Sequence, residues 1–106
     1  MKLSEEFKSL PPVGSTDTVK GDLPAVYVFI PGSAATWVIW EYNEEYQEGF
    51  GMADLGLGFP ELGYVSVEEL ESLKGPLGLP VEIDKSVKTR FEGYKAAGVP
   101  IPSFLQ

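Results

Sequence analysis

The chain has 106 residues and a formal net charge of −8, from 8 Lys and Arg residues against 16 Asp and Glu residues. It contains no cysteine and no histidine, which excludes disulfide bonds and zinc–thiolate sites and removes the usual general base near neutral pH. Any catalysis would rest on carboxylates, hydroxyls, Lys or Arg. The composition therefore favours a protein that is not an enzyme and that uses no metal or cofactor.

The size and the apolar content predict one folded domain, residues 1–106. Hydrophobic residues make up 43% of the chain, which is typical of a globular protein. We divide the chain into an N-terminal helix and loop (1–24), a sheet core (25–84) and a C-terminal helix and tail (85–106). No apolar run approaches the roughly 20 residues of a membrane span. The N-terminus turns acidic before any apolar stretch, so we expect a cytoplasmic protein without membrane contact.

A short N-terminal helix is predicted first, because Leu3, Phe7 and Leu10 recur at helical spacing. Ser4 is its expected N-cap. Runs of β-branched and aromatic residues between turns then predict five strands. Their ranges are 25–30, 36–42, 49–54, 61–65 and 79–84.

The second predicted strand has two apolar faces. In a regular strand its odd-numbered residues, Trp37, Ile39 and Glu41, share one face. The even-numbered residues share the other face, and these are Val38, Trp40 and Tyr42. Since both faces are largely apolar, we predict a central strand with the two tryptophans on opposite faces.

Two further helices follow the fourth and fifth strands. Ser66 and Glu69 form a capping box, which predicts a short helix after the fourth strand. The last helix is predicted over residues 86–97, with an apolar stripe of Val87, Phe91 and Tyr94, and an apolar tail (99–106) is expected to pack back on the domain. The elements together predict an α+β fold, a small antiparallel sheet of four to five strands with short flanking helices on one face or at its edges.

The acidic residues are concentrated in the middle of the chain. No Lys or Arg lies between Gly21 and Leu73, a stretch that holds ten Asp and Glu residues. Such a segment repels nucleic acid, so direct nucleic-acid binding is not expected, and it attracts a basic surface of a host protein or nucleoprotein complex. We predict that seven carboxylates form a partner-binding surface, with solubility as the alternative role. They are Glu41, Glu44, Glu45, Glu48, Glu68, Glu69 and Glu71.

The turn between Asp54 and Glu61 is the second candidate site. Its glycine-rich stretch superficially resembles a phosphate cradle, but it lacks the Gly-Lys-Ser/Thr of a P-loop and leads into a strand. Two flanking carboxylates suit acid–base catalysis or Ca²⁺ and Mg²⁺ binding if they are held together. Because the spacing matches no known cation loop, solvated or structurally bonded carboxylates are the favoured interpretation.

Two other groups of side chains allow different functions. A basic last helix is either a nucleic-acid interface or, as we favour, a solvated face. Its residues are Lys85, Lys88, Arg90 and Lys95. An apolar patch of Trp37 or Trp40 with the tail residues Phe104 and Leu105 would instead suit a structural or adaptor module.

One long motif resembles a small bacterial family of unknown function. The residues that carry the resemblance are 51–66 (GMADLGLGFPELGYVS), Glu69-Leu70, 75–82 (GPLGLPVE) and Ala35-Thr36-Trp37. It covers roughly residues 25–84 and implies a protein of plasmids, phages and other mobile elements, often near antirestriction-type genes. It implies no catalytic residues. With the acidic segment, the resemblance leads us to expect an inhibitor of a host defence complex, of anti-CRISPR or antirestriction type.

Overall fold

The computed structural model describes residues 2–105 of the chain. The helices are α1 (Leu3–Phe7), α2 (Val67–Ser72) and α3 (Arg90–Ala97), followed by a 3₁₀ turn (Ser103–Leu105). The strands are β1 (Val26–Phe29), β2 (Thr36–Asn43), β3 (Glu48–Asp54), β4 (Glu61–Ser66) and β5 (Glu82–Ile83). Among these residues no helix combines the length and the apolar character that a membrane crossing requires. Met1 and Gln106, the ends of the predicted domain and tail, lie outside the described residues.

The five strands form one antiparallel sheet in the order β4-β3-β2-β1-β5. The predicted α+β fold is therefore confirmed, and β2 is the central strand, as its two apolar faces indicated. The fifth strand is much shorter than predicted. Pro80 has no backbone N–H to donate, and it lies outside β5 in an isolated bridge with Lys74.

A bulge in β2 at Trp40 changes the alternation of its side chains. Ile39 pairs with Gly51 and Glu41 pairs with Phe50, so Trp40 has no partner of its own in β3. The extra residue moves Tyr42 into the core beside Trp37 and Ile39, and the predicted face for Tyr42 is wrong. It also turns Glu41 away from the face on which a regular strand would place it.

The two faces of the sheet carry separate cores, and helices cover both. On the α1/α2 face, Phe7 and Leu70 pack with Trp37 and Ile39. On the α3 face, Val38, Trp40 and Met52 pack with Tyr94 and Leu105. The tryptophans do lie on opposite faces, and both are buried. Helices on one face or at the edges, as the sequence predicted, would have left one of these apolar faces of β2 uncovered.

Helix α3 is shorter than predicted and faces the sheet differently. It starts at Arg90, where Thr89 Oγ1 accepts a hydrogen bond from the Glu92 N–H at 3.2 Å. Phe91, expected in the buried stripe, is exposed, whereas Arg90, Gly93 and Tyr94 are buried. The predicted docking of the tail is confirmed, since Leu105 is buried in the core of the α3 face.

The bulge makes Gly51 necessary in β3. A Cβ at Gly51 would overlap the carbonyl oxygen of Val38, whereas one at Gly63 in β4 would meet no atom within 4 Å. We expect Gly51→Ala to lower the free energy of unfolding by about 1–3 kcal/mol, because the backbone of β2 must shift. Gly63→Ala, the matched control, should stay within about 0.5 kcal/mol of the parent. Urea denaturation measures both, and equal losses would show that the bulge does not constrain position 51.

Candidate functional site

The β2–β3 hairpin and the start of α2 bring five glutamates to one end of the sheet. Two exposed glutamates lie in the hairpin loop, and a third, partly buried, begins β3 directly opposite Ser66, the N-cap of α2. Two more exposed glutamates lie in the first turn of α2. We call this set the acidic end, and its members are Glu44, Glu45, Glu48, Glu68 and Glu69.

Hydrogen bonds hold the two segments of the acidic end together. The Val67 N–H of α2 donates to the carbonyl oxygen of Gln47 in the hairpin loop at 3.0 Å. Ser66 Oγ accepts from the Glu69 N–H at 3.2 Å, which confirms half of the predicted capping box. The carboxylates are therefore mounted on a backbone that the sheet and the helix cap both fix.

Lys8, the basic residue near Glu44 of the acidic end, already forms an ion pair. Lys8 Nζ lies 2.8 Å from Glu5 Oε2. This ion pair raises the pKa of Lys8, with a smaller contribution from Glu44, and lowers the pKa of Glu5. Since Glu5 offsets the charge of Lys8, this cation does little to neutralise the acidic end.

Two of the seven predicted partner-binding glutamates serve the fold. Glu41 is only 1% exposed, and its carboxylate accepts hydrogen bonds from the Gly14 N–H at 2.9 Å, the Thr16 N–H at 3.0 Å and the Thr16 hydroxyl. The prediction for Glu41 is wrong, because its buried carboxylate cannot reach a partner. Glu71 is exposed, but its Oε2 accepts from the Leu3 N–H at 2.9 Å and so takes the capping role predicted for Ser4.

We expect Glu41→Gln to lower the free energy of unfolding by about 1–3 kcal/mol. The amide of glutamine would lose the charge-assisted bonds and could turn its NH₂ group toward donors at Gly14 and Thr16. Glu44→Gln removes the same charge from an exposed site and should change stability by no more than about 0.5 kcal/mol. Chemical denaturation gives both values, and a Glu41 variant as stable as the Glu44 variant would contradict the anchoring role.

The Asp54–Glu61 turn does not hold its two carboxylates together. Ala53 lies directly opposite Glu61 in the β3–β4 pairing, so these two share a face, and the following residue, Asp54, belongs to the other. Asp54 Oδ1 accepts from the Gly56 N–H at 3.0 Å, as an Asx turn does. No group of three or more acidic residues able to hold a metal ion occurs within 2–105. The geometry supports the structural interpretation of this turn.

A buried arginine joins three separated parts of the chain, a feature that the sequence did not predict. The Arg90 guanidinium carbon lies 4.9 Å from the ring centroid of Trp40 and 5.1 Å from that of Phe104. Its Nη2 donates to the Gly21 carbonyl oxygen at 2.6 Å, and burial lowers its pKa. Because Arg90 is only 2% exposed, it is no part of a basic surface on α3.

Arg90 also lines a groove of about 270 Å³ on the α3 face. The walls are largely aromatic and aliphatic, and they include Trp40, Phe50, Leu62 and Phe104. Tyr94 packs behind them, with its ring centroid 6.4 Å from that of Trp40, and burial raises its pKa to about 12. The contacts of Arg90 fasten the tail and the 14–21 loop to the sheet, so a structural role accounts for its burial.

One group of exposed apolar side chains lies at the opposite end from the acidic end. The adaptor hypothesis placed Trp37 or Trp40 in a surface patch with Phe104 and Leu105, but both tryptophans and Leu105 are buried and Phe104 is partly buried. The tip of the β3–β4 hairpin instead exposes Leu57 by 73% and Phe59 by 76%. Leu77, which is 65% exposed, lies in a separate loop that packs on the β1–β2 turn, since a Cβ at Gly32 would lie 2.7 Å from Leu77 Cγ. Apolar residues at alternate positions of a glycine-rich turn were the sequence feature that could have revealed this surface.

A family model described as a protein of unknown function, DUF2958, matches residues 6–95. Comparison with curated proteins and with solved structures finds no match. The matched range reaches beyond residues 25–84, on which the resemblance rested, and it includes both the acidic end and the hairpin tip. The expectation of an uncharacterised domain family is confirmed, and the chain belongs to the DUF2958 family of proteins of unknown function.

Proposed function

We propose that this protein is a non-enzymatic inhibitor that inserts its acidic end into a basic site of a host nucleic-acid-handling defence complex. The observation that supports the proposal is the convergence of five carboxylates from two chain segments at one end of the sheet. A basic groove that binds DNA or RNA neutralises phosphates with Lys and Arg. Carboxylates on a fixed backbone offer the same groove a competing set of negative charges.

The charge distribution supports recognition of a protein surface. The acidic end lies within the stretch from Gly21 to Leu73 that lacks Lys and Arg. A field of one sign steers a basic partner toward this end and disfavours acidic ones. The resemblance to proteins of plasmids and phages supports a defence complex, of anti-CRISPR or antirestriction type, as the target.

Two of the carboxylates that catalysis could use accept structural hydrogen bonds instead. Asp54 bonds within its own turn and lies on the opposite face from Glu61. The buried carboxylate of Glu41 is occupied by donors of the 14–16 loop. The exposed carboxylates of the acidic end have no histidine to act with, because the chain contains none. Binding by charge therefore accounts for this arrangement better than catalysis does.

We expect the double variant Glu44→Lys/Glu45→Lys to weaken binding to the target at least about tenfold, because both exposed charges change sign. The control Asp17→Lys/Glu82→Lys makes the same change in net charge at exposed residues outside the acidic end and should bind nearly as the parent does. Tagged protein is used to capture the target from host lysate at low and at high salt. Inhibition of nucleic-acid cleavage by the captured complex is then measured.

Binding should also weaken as salt rises, since exposed charges are screened beyond about 8 Å at physiological ionic strength. Capture that resists high salt would contradict the proposal. So would equal inhibition by the two double variants, because net charge rather than the acidic end would then decide binding.

A further inference from the structure

Strand β4 is an open edge of the sheet without the usual protection. It is outermost in the strand order, and within residues 2–105 its one neighbour in the sheet is β3. Edge strands of monomeric proteins are commonly kept short or carry Lys, Pro or a bulge. The other edge, β5, has only two residues. β4 has six residues, contains neither Lys nor Pro, and pairs with β3 without a register shift.

The exposed face of this edge is apolar. Leu62 is 52% exposed and Tyr64 is 64% exposed. Both lie on the α3 face, because they pair with Met52 and Phe50 of β3. The Tyr64 ring packs edge-on against Phe50, with 5.2 Å between the ring centroids. The edge therefore presents a fixed apolar row, and its outward backbone groups face no other strand among the described residues.

We propose that β4 pairs antiparallel with β4 of a second copy of this chain and joins the two five-stranded sheets into one. A two-fold axis perpendicular to the sheet at Gly63 gives a matched register. It places Leu62 opposite Tyr64 of the second copy, and Tyr64 opposite Leu62 of that copy. On the other face Gly63 meets Gly63 of the second copy, and no side chain obstructs the axis.

The charges of β4 suit a second copy. Its single charged residue, Glu61, falls opposite Val65 of the second copy in this register, so no like charges face each other. Antiparallel pairing also places the two acidic ends at opposite ends of the paired strands. A basic strand from another protein would find little charge to complement along β4. A second copy offers two apolar Leu62–Tyr64 pairs on the α3 face.

The joined sheet extends the contact beyond the paired strands. In this register each hairpin tip, with Leu57 and Phe59, continues past the start of β4 toward the other copy. The dimer would carry two acidic ends, and a target with two basic sites would then be bound through both.

Sedimentation equilibrium of the full chain over a range of concentrations tests the proposal. The expected mass rises toward twice that of one chain, and high salt leaves the association unchanged or strengthens it, because backbone bonds and apolar contacts are not screened as charges are. A mass of one chain at every concentration would overturn the proposal, and so would an association that high salt abolishes.

Two matched variants locate the contact. Tyr64→Lys places a charge on the paired edge and should raise the dissociation constant of the dimer at least about tenfold. Leu77→Lys adds the same charge at an equally exposed residue, 65% against 64%, in the loop away from β4 and should leave the constant nearly unchanged. Equal association of a folded Tyr64→Lys variant and the parent would overturn the pairing, as would equal loss in both variants.

If the Tyr64→Lys variant does not fold, amide hydrogen exchange of the unmodified chain tests whether β4 pairs with a second copy. Dilution below the dissociation constant should speed exchange of the outward amides of residues 61–66 and leave those of β2 unchanged. Exchange in β4 that is independent of concentration would contradict the dimer.

Discussion

The burial of β2 on both faces is the constraint on which the rest of the structure depends. Seven of its eight residues are buried, although the strand contains a glutamate. The bulge at Trp40 reconciles the two facts. It lets Tyr42 join the core beneath α1, and it turns Glu41 toward the backbone donors of the 14–16 loop. The loop, the helix above one face and the groove on the other are all positioned by this one strand.

The antiparallel order then separates two chemically different ends. The β2–β3 hairpin and the start of α2 meet at one end, where carboxylates predominate. The β1–β2 and β3–β4 turns meet at the other, where Leu57 and Phe59 are exposed. The sheet thus holds a charged surface apart from an apolar one. The charge-dependent partner is proposed at the acidic end, and the charge-independent contact is proposed along the outer edge of β4.

Local patterns predicted most of the elements, and long-range contacts decided the rest. The spacing of Leu3 and Phe7 and the Ser66 cap lie within a few residues, so the sequence predicts them directly. The bulge depends on Gly51 in another strand, so the regular alternation along β2 predicts the wrong face for Tyr42 and the wrong exposure for Glu41. The sequence predicts Arg90 on a basic helix face, because the partners that bury it, Trp40, Gly21 and Phe104, are distant in sequence.

In the candidate site, too, the sequence predicts the local features, and long-range contacts decide the rest. The stretch without Lys or Arg is visible in the sequence. Which of its glutamates belong to the acidic end depends on the fold. The pairing of Glu48 with Ser66 adds the start of α2 to the hairpin loop, whereas burial removes Glu41 and a hydrogen bond to Leu3 sets Glu71 apart.

Hydrogen exchange of the protein bound to its captured target tests the acidic end most directly. The account expects slowed exchange in residues 43–48 and 66–69. Slowed exchange confined to the hairpin tip and β4 would contradict it.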